Sequence, residues 1–130
     1  MTTAGPARAT RMALVLDCAD PERLARFWTK ALGYRLSWAE GAYVGLVPEA
    51  GQGPELMLQR VPEHKGGKNR MHLDIRTDAL QPEIDRLAAL GARKLRPEVI
   101  KEAGFGWVVM TDPDGNEFCV CVELPSPHDR

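Results

Sequence analysis

Apolar positions follow two rhythms along this chain, and each rhythm occurs twice. Met12 to Cys18 is an apolar, β-rich run that predicts a strand. Behind it Leu24, Phe27, Trp28, Ala31 and Leu32 recur at helical spacing. Asp20 suits the N-cap of that helix, Pro21 its first position, and Gly33 a left-handed C-cap. Three strands are predicted next: Tyr34 to Ala39, Ala42 to Val47 and Glu55 to Val61. Glu40-Gly41 reads as a hairpin turn, and Glu49 to Pro54 as a Gly-rich loop.

The order then returns. Arg70 to Thr77 predicts a strand, and Asp78 to Leu90 a helix with Leu80, Ile84, Leu87 and Ala88 on its apolar side. Pro82 falls in the first turn of that helix, where a missing N–H is tolerated. Ala92 to Val99, Gly106 to Thr111 and Glu117 to Leu124 are predicted strands, the last two joined by the turn Asp112-Pro113-Asp114-Gly115-Asn116. Both helices run from a capping aspartate, Asp20 or Asp78, to an Ala-Leu-Gly over 13 residues, and the two aspartates are 58 apart. That period is too long for a solenoid and suits a duplicated supersecondary unit. The expected fold class is therefore α+β, with two helices and eight strands in two βαβββ modules. Residues 12–61 form the first module, 62–69 a linker and 70–124 the second, all within one structural domain. Residues 1–11 are expected to be a disordered leader and 125–130 a tail.

Composition changes this picture little. The chain has 130 residues, 44% hydrophobic and 27% charged, as a globular domain should. A net charge of −1 favours neither nucleic acid nor an anionic membrane, and no apolar run approaches the length needed to cross a bilayer. Cys18, Cys119 and Cys121 are an odd set with no secretory signal before them. They predict free thiols in a reducing, cytoplasmic setting.

The order βαβββ-βαβββ, the Asp-capped helix ending in Ala-Leu-Gly, and the turn DPDGNEF resemble the vicinal oxygen chelate superfamily. This is the group of glyoxalase I, bleomycin-type and fosfomycin resistance proteins and extradiol dioxygenases. DCADPERLARFWTKALGY, KNRMHLDI and DPDGNEFCV are most similar to its small bacterial glyoxalase-like members, and the resemblance spans Met12 to Glu123. It implies cup-shaped sheets with a small-molecule cavity between the modules, and a homodimer in which the partner often completes that cavity. It also implies, where a divalent metal is present, one His or Glu ligand from the first and last strand of each module.

Carried over position by position, those ligands fall on Ala13 (or Leu14, depending on a one-residue offset), Met57, His72 and Cys119, with Gln59 two residues beyond Met57 on the same face. Ala13, Leu14 and Met57 offer no hard-cation donor. No cofactor is therefore expected. The alternative is a divalent zinc, nickel, manganese or iron ion on a shifted site of His72, Glu117 and Cys119.

Strand alternation sets Asp17 on the polar side of the first strand, and His72, Asp74 and Arg76 on the polar side of the strand that opens the second module. His72 beside Asp74 reads either as a base with its orienting partner or as a hydrogen-bonded structural histidine. Asp17 and Arg76 are expected to pair across the two central strands. Trp38, Tyr43, Phe105 and Trp107 offer an aromatic wall, and Met57 an adaptable lining. The candidate ligand-binding set is thus Asp17, Trp38, Tyr43, Met57, Gln59, Arg76, Phe105, Trp107 and Cys119, and the candidate catalytic pair is His72 and Asp74. The leading functional expectation is a metal-free small-molecule-binding protein of the resistance or sequestration type. The alternative is a lyase, isomerase or dioxygenase of the same superfamily.

Overall fold

The computed structural model describes residues 13–69 and 71–125. The expected leader, the tail beyond Pro125, Met12 and Arg70 lie outside the described residues. The first half runs β1 (Ala13–Cys18), α1 (Pro21–Leu32), β2 (Tyr34–Glu40), β3 (Tyr43–Pro48) and β4 (Glu55–Arg60). The second runs β5 (Leu73–Arg76), α2 (Leu80–Ala89), β6 (Arg93–Lys94), β7 (Ile100–Glu102), β8 (Phe105–Thr111) and β9 (Glu117–Glu123). Each half makes its own mixed sheet: β1-β4-β3-β2 in one, and β5-β9-β8-β6 with β7 also on β8 in the other. In both, the opening strand pairs parallel to the last strand and the remaining pairs are antiparallel. No helix among the described residues is long and apolar enough to cross a membrane.

Helix α1 forms where its end signals stand. The Asp20 carboxylate accepts from the Arg23 N–H, Pro21 opens the helix, and Gly33 closes it at φ 69°. Its buried side, with Leu24, Phe27, Trp28 and Ala31, lies on the first sheet and also reaches the second half. Leu24 and Phe27 each contribute about 1.5–3 kcal/mol by leaving water. The start of α2 departs from expectation. Asp78 does not cap it; Ala79 holds the N-cap position without a side-chain bond, while the Thr77 hydroxyl accepts from the Ala79 N–H.

Other boundaries also move. The first hairpin turn is Gly41-Ala42, since Glu40 pairs with Tyr43, and Gly41 has φ 59°. The expected strand from Ala92 to Val99 is broken in two. Lys94 pairs with Met110, the chain then leaves the sheet edge around Arg96-Pro97, and it returns as β7 with Ile100 opposite Trp107. Proline disfavours helical geometry at the preceding residue and cannot donate to the ladder, so the edge strand breaks there. β7 ends in Ala103-Gly104, both at positive φ, which is the backbone of a tight hairpin turn into β8. The second half therefore has five strands where four were expected.

A buried polar joint fastens the halves together. The Trp28 indole N–H donates 3.1 Å to Asp112 Oδ2 across 84 residues of chain. Its ring packs edge-on against Phe118 of β9, with centroids 5.3 Å apart. The Asp112 carboxylate also accepts from the backbone N–H groups of Asp114 and Asn116 and from the Asn116 amide. Beside this joint, the Arg86 guanidinium donates to the carbonyls of Lys30 and Ala31 at the end of α1 while bound to Glu83. Burial pushes the Asp112 carboxyl above the usual carboxylate range, against the pull of its donors from Asn116, Trp28 and Asp114. A raised carboxyl favours folding most when protonated, so its contribution is full below the unfolded pKa and declines as pH rises through the folded one.

Replacing Asp112 with alanine leaves the Trp28 N–H and the donors of the turn unpaired in the interior. We predict a loss of about 3 kcal/mol or more in urea unfolding followed by tryptophan fluorescence. A loss below about 1 kcal/mol would mean that the turn does not lock the halves.

Candidate functional site

The candidate residues fall on two concave faces that point away from the helices. On the first sheet, Val15 lies opposite Met57 and Asp17 opposite Gln59, while Tyr43 pairs with Gln59 and Gly45 with Met57. Cross-strand partners share a face, so Val15, Asp17, Tyr43, Met57 and Gln59 line one side. The Trp38 indole packs against Gly45, where an added Cβ would clash with the ring. Its N–H donates 2.8 Å to Glu55 Oε2, and the Gln59 amide donates to the Tyr43 hydroxyl at 3.3 Å. Val15, Trp38 and Tyr43 remain 51%, 37% and 38% exposed, so this face is apolar and uncovered.

The second sheet carries β7 and the Leu95–Val99 excursion along one edge. It encloses a cup of about 480 Å³. Phe105 and Trp107 of β8 line it, with Ile100 of β7 and Leu95. His72, Asp74, Arg76, Cys119 and Cys121 line it beside them, Trp107 being the cross-strand partner of Cys121. The Arg76 guanidinium stacks 5.1 Å from the centre of the Phe105 ring. His72 Nε2 lies 3.3 Å from Asp74 Oδ1. Asp74 is the parallel cross-strand neighbour of Cys119, and one donor atom from each of His72, Asp74 and Cys119 falls within 4.8 Å of the others.

Several placements revise the sequence reading. Asp17 and Arg76 do not pair: β1 and β5 belong to different sheets, Asp17 borders the gap between the halves, and Arg76 stacks on Phe105. The aromatic wall is divided, with Trp38 and Tyr43 on the first sheet and Phe105 and Trp107 on the second. The hollow between the halves, about 530 Å³, runs over β1 and the linker, borders Asp17, and adjoins the cup at Asn69, His72 and Glu117. Glu117 is tied to Lys65 at 3.0 Å and to the Asn69 N–H, so the carboxylate that joins His72 and Cys119 is Asp74.

The thiols are electrostatically quiet. Burial, then the charge of Asp74, raises Cys119 above the ordinary thiol range, and the same causes push Cys121 up to about 11. Burial likewise lifts Cys18 to about 11. A nucleophilic cysteine needs the opposite shift.

The registers align the strand positions on which the resemblance would place metal ligands. The N-caps Asp20 and Ala79 are 59 residues apart, which sets Ala13 against His72 and Val15 against Asp74. The last strands begin at Glu55 and Glu117, which sets Met57 against Cys119. The pairing agrees, since Val15 faces Met57 as Asp74 faces Cys119. Ala13, Met57, His72 and Cys119 supply two donors among four positions, one of them a thiol, and do not fit a hard divalent cation.

Leu95, Arg96, Ile100 and Glu102 also line the cup, and sequence reasoning passed over them. The signal available was the hairpin dipeptide Ala103-Gly104 followed by the alternating run from Phe105, which calls for an antiparallel strand ahead of it.

Gly45→Ala should expel the Trp38 indole from the sheet face and break its bond to Glu55, because the side chain yields more easily than the strand. We predict a red-shifted tryptophan emission with a change in melting temperature of only a few degrees, about 1 kcal/mol. An unchanged spectrum would contradict this packing.

Fold and site together define a protein of paired βαβββ modules with a cup of small-molecule size. The chain belongs to the glyoxalase-like domain family, whose model matches residues 13–121. Solved structures agree in fold. A glyoxalase/bleomycin resistance protein/dioxygenase family enzyme from Burkholderia phytofirmans PsJN is 14% identical, with 86% of this chain and 97% of that one covered and a TM-score of 0.71. A glyoxalase/bleomycin resistance protein/dioxygenase from Nocardioides is 20% identical, with 95% and 90% covered and a TM-score of 0.69. The hypothetical protein SA1046 from S. aureus is 20% identical, with 89% and 95% covered and a TM-score of 0.68. No curated protein matches the chain.

Proposed function

We propose that the chain is a small-molecule-binding protein of the sequestration type, lacking the four-ligand metal site, which holds a planar, partly apolar ligand in the cup of its second half. The observation that carries this reading is the cup itself. Its volume of about 480 Å³ suits a small organic ligand, and aromatic Phe105 and Trp107 lie beside a few polar groups at fixed places. Planar ligands stack on such walls, while Arg76 and Asp74 orient them. The first half contributes an uncovered apolar face with Val15, Trp38 and Tyr43. The rim of the second half likewise exposes Leu95 at 47% and Val99 at 44%. A two-fold homodimer would lay each first-half face over the partner's cup and cover both patches, as an isologous interface requires.

An enzyme of the lyase, isomerase or dioxygenase kind is the second reading. The 3.3 Å contact between His72 and Asp74 favours it, since it sets a base beside an orienting carboxylate inside the cup.

The test uses 8-anilino-1-naphthalenesulfonate, a planar aromatic anion whose emission rises in apolar sites. We expect saturable binding at one site per chain, weakened about tenfold or more by Trp107→Ala, a loss of about 1.4 kcal/mol. Binding that is unsaturable, or indifferent to Trp107, would overturn the assignment of the cup.

A further inference from the structure

The cup wall brings together three potential metal donors from one half of the chain alone. His72 and Asp74 are two residues apart and face the same cavity, and Asp74 sits directly across the strand pair from Cys119. Donor atoms of all three lie within 4.8 Å of one another. Two nitrogen or oxygen ligands at about 2.0–2.1 Å from a tetrahedral zinc ion stand about 3.3 Å apart. His72 Nε2 and Asp74 Oδ1 already stand at 3.3 Å. Cys119 is the buried member of the three, below the half-exposed His72 and Asp74, so a bound ion would rest on sulfur and look outward into the cavity.

We propose that His72 Nε2, the Asp74 carboxylate and Cys119 Sγ form a three-ligand site for zinc or a divalent ion of like softness, with the fourth position open to the cup. One imidazole, one carboxylate and one thiolate suit zinc and cobalt(II) and disfavour magnesium and calcium. On binding, a metal–sulfur bond replaces the Cys119 S–H bond and the thiol proton passes to solvent, with no change of oxidation state. The first half takes no part, so the site differs from one built with ligands from both halves. Three protein ligands with one open position leave room for an anionic or thiol donor from a ligand in the cup. Glu117 stays out of this set because Lys65 and the Asn69 N–H hold it.

The proposal stands apart from the binding reading above and is tested with the metal alone. Cobalt(II) is titrated into full-length protein carrying no histidine tag and stripped of metal, and the near-ultraviolet and visible spectra are recorded. The expected result is one equivalent bound, with a thiolate-to-cobalt charge-transfer band and visible bands of tetrahedral intensity, all removed by stoichiometric zinc. Cys119→Ser should abolish the charge-transfer band, and Cys18→Ser and Cys121→Ser should keep it. His72→Ala and Asp74→Asn should each weaken binding about tenfold or more. Both residues are half exposed, so these two variants remain informative if Cys119→Ser fails to fold. His64→Ala should bind as the parent does. The absence of a charge-transfer band, its survival in Cys119→Ser, or unchanged affinity in Asp74→Asn would overturn the site.

Discussion

The bond from the Trp28 indole to the Asp112 carboxylate organises the molecule. Two sheets that share no strand pair need something to fix their relation, and here a helix of the first half supplies the donor while a turn of the second supplies the acceptor. The rings of Phe27 and Trp28 close on Phe118 around that bond, so polar and apolar contacts fasten the same place. Burying a carboxylate without partners would be very costly. Asp112 is tolerated because the turn folds its own backbone and Asn116 around it. The joint lies on the helix side of the sheets, and both concave faces are left free for other contacts.

That division decides where chemistry can occur. The halves are docked through their helical sides, so the hollow between them is joined by one formed cup on the second sheet and one open apolar face on the first. The cup holds His72, Asp74 and Cys119 because β5 and β9 run parallel in a register that places Asp74 beside Cys119. The matching strands of the first half place Val15 beside Met57. One strand pairing therefore carries a donor cluster in one half and an apolar surface in the other, and the two faces fit the two sides of one proposed interface.

Much of this was legible in the residues. The caps of α1 at Asp20 and Gly33, the alternation that turns His72, Asp74 and Arg76 to one side, and the turn at Asp112 all depend on local chemistry that a sequence carries directly. Reading Asp78 as a cap failed because Thr77 takes the Ala79 N–H. The strand from Ala92 to Val99 failed because Pro97 breaks an edge that hydrophobicity alone would continue. The split of the aromatics between two sheets was not legible, since strand periodicity gives the face of each residue within a sheet but not the position of one sheet against another. Trp28 was readable as core, but its partner 84 residues away was not.

The proposed arrangement, in which the first-half face of one chain closes the cup of another, is tested most directly by mixing two variants. Val15→Lys spoils the face and leaves the cup intact, while Trp107→Ala spoils the cup and leaves the face intact. If the cup is completed by a second copy, each variant alone binds the anilinonaphthalene probe poorly and an unfolded and refolded mixture regains binding at one of the two sites in each mixed dimer. If Val15→Lys alone binds as well as the parent, the cup is complete within one chain and the account of a shared site is wrong.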